Sequence, residues 1–148
     1  MKPVLLNNST NSTIPSMEQF VTWVNAVIEQ HGSFFQVSIE IVDKRNSQEL
    51  NKNYRQKDKP TNVLSFPLEL PEFVKEDLLG DLAICADVVE EEALEQNKPV
   101  LNHWAHLTIH GCLHLLGYDH IEEDEAKKME TLEIQLLQQL DINNPYVE

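Results

Sequence analysis

The segment His110-Gly111-Cys112-Leu113-His114-Leu115-Leu116-Gly117-Tyr118-Asp119-His120 constrains this chain more than any other. His110 and His114 are four residues apart, so on a helix one lies above the other, at the spacing two imidazoles need to share a metal ion. Gly117 suits the positive-φ residue that stops a helix. The chain can then turn through Tyr118 and Asp119 and bring His120 back towards the first two histidines. The chain has four glycines, and two of them fall inside this motif. His110, His114 and His120 are therefore the expected ligands of one Zn2+ per chain. Three protein ligands leave a fourth position open for water, whereas structural zinc sites are usually closed by four.

The rest of the chain reads as a mixture of strands and helices. Residues 4–6 suit a short strand. A helix should start near Pro15 and Ser16, where Ser16 and Gln19 form a capping-box pattern, and end at Gly32. Over residues 35–41, Phe35, Val37, Ile39 and Ile41 alternate with Gln36, Ser38 and Glu40, the period of a half-buried strand. A short polar helix is expected over 47–54, then a basic loop to Pro60, and strands over 63–66 and 79–85. Asp87 with Glu90 resembles a cap opening an acidic helix to about Gln96. Pro99 suits the first turn of a longer helix reaching about Leu116. Four acids, Glu122 to Glu125, open a last helix whose apolar positions include Met129, Leu132, Leu136 and Leu140. Strands and helices do not alternate strictly, so the expected class is α+β.

At 148 residues and 41% hydrophobic content the chain suits one domain over residues 1–148. No apolar run is long enough to span a membrane, and the four-residue run from Pro3 to Leu6 argues against a signal peptide. Two cysteines, Cys85 and Cys112, are too few for a disulfide framework and fit a reduced, cytoplasmic setting. A net charge of −14 would ordinarily argue against a nucleic-acid partner. However, Lys44, Arg45, Lys52, Arg55, Lys57 and Lys59 stand against only Glu49 and Asp58 between positions 44 and 59. Taken alone, these charges suit a solvated helix and loop that only aid solubility, but an acidic body with one basic segment can also steer a polyanion to a single place.

The histidine spacing is that of the metzincin zinc peptidases, His-Glu-x-x-His-x-x-Gly-x-x-His. In those enzymes the Glu after the first histidine is the general base. Here that position is Gly111, which argues against an ordinary peptidase. Zinc lowers the pKa of bound water to about 7 by itself, so three histidines still suit catalysis. His103 and His106 are expected as surface residues or as packing beside the site, and His31 as a helix-end residue. Cys112 points away from the shared face of His110 and His114. Asp81 and Asp119 read as turn caps or as carboxylates supporting the ligands. Arg55 is a candidate catalytic cation, because a guanidinium can hold a phosphate bidentately and stabilise charge that develops on it, although by composition alone it is one arginine in a basic loop.

Three blocks together resemble the bacterial YbeY family of ribosomal-RNA maturation endoribonucleases. They are the 110–120 motif, Tyr54-Arg55-Gln56-Lys57-Asp58-Lys59-Pro60-Thr61-Asn62-Val63-Leu64-Ser65-Phe66-Pro67, and Leu79-Gly80-Asp81-Leu82-Ala83-Ile84-Cys85. They stand in the family's order, and the similarity extends over nearly the whole chain. Many members carry Asp where this chain has Asn62. The resemblance implies a small, mostly parallel mixed sheet packed with helices, and zinc on His110, His114 and His120. It also implies a single-strand-specific endoribonuclease for the 3′ end of 16S rRNA and for 70S ribosome quality control, with the arginine matching Arg55 beside the metal. Expected partners are single-stranded RNA, rRNA, the ribosome or its small subunit, ribosomal proteins and assembly GTPases, with no membrane. The alternatives are a metal-dependent hydrolase of another class, such as a peptidase, and a ribosome-associated binding protein with structural zinc.

Overall fold

The computed structural model describes residues 2–71, 73, 74, 76–119 and 121–146. Its strands are β1 (Val4–Asn8), β2 (Gln36–Val42), β3 (Val63–Pro67) and β4 (Leu78–Cys85), in the spatial order β1-β2-β4-β3. β1, β2 and β4 are parallel neighbours, and β3 runs antiparallel along the outside of β4. Parallel strands need crossovers, which α1 (Met17–His31) and α2 (Lys44–Arg55) help to supply. α3 (Ala86–Glu95), α4 (Val100–Leu115) and α5 (Glu123–Gln139) complete a single small α+β domain with five helices among the described residues. The mostly parallel mixed sheet is as expected. No helix of the described residues is long and apolar enough to cross a membrane.

Local chemistry explains most boundaries. The Ser16 side chain accepts the Gln19 amide at 3.2 Å while Gln19 Oε1 accepts the Ser16 amide at 2.8 Å, which completes the capping box of α1. Gly32, at φ +90°, closes the helix. On β2, Val37, Ile39 and Ile41 are fully buried and the residues between them half-buried.

Other boundaries shift where a partner intervenes. β1 runs on to Asn8 because Asn7 and Asn8 pair with Glu40 and Ile41 through the backbone, which is indifferent to their polar side chains. α2 starts at Lys44, earlier than expected, because Asp43 accepts the Asn46 amide at 2.8 Å and caps it. The expected Asp87 cap is not formed. Cys85 occupies that position without a side-chain bond, and Asp87 lies in the first turn of α3, where the helix dipole favours it. Pro99 is the N-cap residue of α4 rather than part of its first turn.

α4 is buried along most of its length and forms the centre of the core, with Trp104, Ile109 and Leu113 packed among Phe20, Ile39, Leu82 and Ile84. Phe20 meets Trp23 and Trp104 edge to face at centroid distances of 5.5 and 5.8 Å. Gly111 lets the helix approach β4: a Cβ there would lie 2.7 Å from Leu82 Cδ2. The glutamate that a zinc peptidase carries at this position would have to displace Leu82, so its absence has a packing cause as well as a chemical consequence. Gly111→Ala is expected to destabilise the protein by about 1–3 kcal/mol through overpacking. A urea midpoint equal to that of the wild type would show that Leu82 yields freely.

Candidate metal centre

The end of α4 is built as its spacing requires. Leu116 is the C-cap residue, and Gly117 follows at φ +103°. The Gly117 amide donates to the His114 carbonyl and the Tyr118 amide to the Leu113 carbonyl, both at 3.0 Å, the paired bonds of a Schellman motif. This stop leaves His110 and His114 on the last turns. Their rings meet edge to face at a centroid distance of 4.7 Å and 82°. His114 is half-buried and His110 has 23% of its side chain exposed. His120 lies outside the described residues. Asp119 accepts the Ile121 amide at 3.2 Å, the expected turn cap, and Asp81 is an exposed residue of β4.

One residue of the site escaped sequence reasoning. Glu133 on α5 has no exposed surface, and three groups converge on its carboxylate. His110 Nδ1 bonds to Oε1, while His106 Nε2, at 3.1 Å, and the Tyr146 hydroxyl bond to Oε2. Burial works against the charge, yet the hydrogen bonds from His106, His110 and Tyr146 outweigh it and hold the carboxyl at about 2. Burial pushes His106 down, towards the neutral ring, more than Glu133 pulls it up. The Tyr146 hydroxyl is raised by burial and by the adjacent carboxylate. A signal for Glu133 existed: it lies four residues after Met129 and three before Leu136, an acid on the apolar stripe of α5.

His103 and His106 are interior residues, each bonded to a carboxylate, in line with packing beside the site rather than the surface. His103 Nε2 lies 2.9 Å from Glu92 Oε1, which also accepts the Asn62 amide at 2.9 Å. Burial would raise Glu92, but the bonds from His103 and Asn62 hold it below the usual carboxylate range. The amide of Asn62 is thus used as a donor, which an ionised aspartate could not be. Cys85 and Cys112 are both free and buried. Burial pushes the Cys112 thiol up to about 12, so it is neither a ready ligand nor a nucleophile.

The donor chemistry fits a metal ion. Ligand atoms of His106, His110 and Glu133 lie within 4.8 Å of one another, so these three could hold one directly. The same contacts also form a carboxylate–histidine pair: with Nδ1 of His110 given to Glu133, Nε2 is the nitrogen that can ligate, on a ring adjoining that of His114. Arg55 is the exposed last residue of α2, and no hydrogen bond or ion pair of the described residues links it to the histidines. The basic segment is smaller than its sequence implies, because Lys44 pairs with Glu91 and Arg45 lies 3.8 Å from Glu49. Lys52, Arg55, Lys57 and Lys59 are exposed and make no ion pair among the described residues.

The family model described as endoribonuclease YbeY matches residues 5–141. The chain belongs to the YbeY family. The endoribonuclease YbeY of Colwellia psychrerythraea is 52% identical over 143 residues, covering 94% of this chain and 92% of that protein. The solution structure of TM1509 from Thermotoga maritima is similar with a TM-score of 0.59 at 23% identity, over 98% of this chain and 99% of that one, which shows a shared fold. The YbeY match contains Arg55, His110, His114, His120 and Glu133, whereas Tyr146 lies beyond it.

Proposed function

We propose that this protein is a zinc-dependent endoribonuclease preferring single strands, acting in the cytoplasm on the 3′ end of 16S rRNA and in 70S ribosome quality control. The observation that carries the reading is the edge-to-face pair of His110 and His114 on the last turns of α4, with His110 oriented by Glu133. The YbeY family membership supports RNA as the substrate. One Zn2+ would be held by His110, His114 and His120. When bound, zinc supplies a Lewis acid and lowers the pKa of bound water to about 7.

The chain's own residues do the rest. Glu133 fixes the tautomer of His110 and keeps its ring in place. Lys52, Lys57 and Lys59 hold the polyanion on an otherwise acidic molecule. Arg55 acts as the catalytic residue that stabilises charge building on the phosphoryl oxygens. The attacking oxygen is read from the products: a 2′,3′-cyclic phosphate marks the ribose hydroxyl, and a 5′-phosphate with a 3′-hydroxyl marks water.

The test uses labelled single-stranded RNA, duplex RNA and a peptide, with and without chelator, beside His114→Ala and Arg55→Ala. Wild-type protein is expected to cleave the single strand and to stop when chelated or when His114 is lost. Arg55→Ala is expected to lower kcat by about 100-fold or more, as loss of a charge-stabilising donor does. RNA cleavage that survives chelation and both substitutions overturns the reading.

A further inference from the structure

We propose that Tyr54 and Phe66 form a base-stacking platform that gives this protein its preference for single-stranded RNA; this rests on the endoribonuclease reading. Tyr54, in the last turn of α2, is 51% exposed, and its ring meets that of Phe66 on β3 at a centroid distance of 4.6 Å and 62°. A surface aromatic pair of this kind can simply cover a sheet edge. Three observations point further.

The first is charge. On a molecule of net charge −14, Tyr54 sits between Lys52 and Arg55, with Lys57 and Lys59 following, all four exposed and outside any ion pair of the described residues. A partner drawn to that surface is a polyanion. The second is preorganisation. The buried side chains of α2 are polar and tie down the basic loop. Ser47 Oγ donates to the Thr61 carbonyl and accepts the Thr61 amide, both at 2.9 Å. Asn51 donates to the Lys59 carbonyl at 2.9 Å, and Gln48 donates to the Asp58 carboxylate at 2.9 Å. The cations around Tyr54 are thus carried on a fixed backbone, which reduces the ordering cost of binding.

The third is position. β3 is an edge strand, bonded to β4 on one side. Ser65 Oγ reaches the carbonyl of Gly111, next to His110, at 3.4 Å. Phe66, the next residue, points to the opposite face. An RNA strand whose base rests on Tyr54 and Phe66 while its backbone reaches the α4 histidines therefore crosses the edge of β3. Bases within a duplex have both faces covered by their neighbours, so an unpaired base is the one that can stack here, and every base has a π face to offer. The platform discriminates strandedness without reading sequence.

Binding is measured by fluorescence anisotropy in chelator, which prevents cleavage, with a short labelled RNA, an RNA of equal length carrying abasic sites, and a duplex. Wild-type protein is expected to prefer the intact single strand. Tyr54→Ala and Tyr54→Leu should each weaken that binding by about tenfold, while Tyr54→Phe retains it. Abasic binding and the salt dependence should be unchanged, because no phosphate contact is lost. Tyr54→Leu keeps an apolar cover over Phe66, so it decides the matter if Tyr54→Ala unfolds. Single-strand affinity unchanged in Tyr54→Leu, beside a wild type that binds and cleaves RNA, overturns the platform alone. A wild type that neither binds nor cleaves RNA overturns the platform and the endoribonuclease reading together.

Discussion

Glu133→Ala should destabilise the protein by about 3–5 kcal/mol, measured from the urea midpoint and slope. The loss combines a cavity with lost hydrogen bonds, since His106 Nε2 and His110 Nδ1 lose this acceptor, while the hydroxyl of Tyr146, an exposed residue, keeps its contact with His106. The carboxylate has no exposed surface, so water cannot readily take its place. Glu133→Gln keeps the volume and one acceptor oxygen, but it turns an amide donor towards donors and removes the charge that His110 faces. Its stability loss should be smaller, and its zinc affinity should fall about 10- to 100-fold, as it does when the group orienting a histidine ligand is lost. Wild-type stability and zinc affinity in Glu133→Gln would show that the carboxylate orients nothing.

His114→Ala and His106→Ala should part company. With zinc on His110, His114 and His120, removing His114 takes away a ligand, and affinity should fall by more than about a hundredfold, beyond the range for residues that only orient one. Removing His106 takes one of three donors from Glu133 and leaves the His110 bond, so a loss of about tenfold is expected. Competition with a chromophoric chelator reads both, and circular dichroism shows that each variant is folded. The opposite order, with His106→Ala losing zinc and His114→Ala keeping it, would put the ion among His106, His110 and Glu133 and reject the proposed ligand set.

Features that depend on neighbouring residues could be read directly. The Ser16–Gln19 box, the alternation along β2 and the glycine stop at Gly117 all formed, because each closes within a few residues. The i, i+4 histidine pair is of the same kind. The Asp87 cap failed because Cys85 already ends β4 and opens α3, which leaves Asp87 inside the first turn. The basic segment carries less unpaired charge than its sequence implies, because Glu91, whose carboxylate takes up Lys44, comes from a helix distant in sequence.

The sequence by itself determined that His110 and His114 share one face of a helix, where that helix must stop and which segment is rich in basic residues, since helix geometry and backbone sterics act within a few residues. What only the tertiary structure decided is how those residues are supported. Glu133 reaches His110 across 23 positions and Tyr146 reaches His106 across 40, brought there by the packing of α4, α5 and the chain beyond. Asn62, Glu92 and His103 form a second polar cluster, and Tyr54 meets Phe66 across the loop between α2 and β3. A charged or aromatic side chain carries no local mark of its partner, and burial against distant residues creates the need for one.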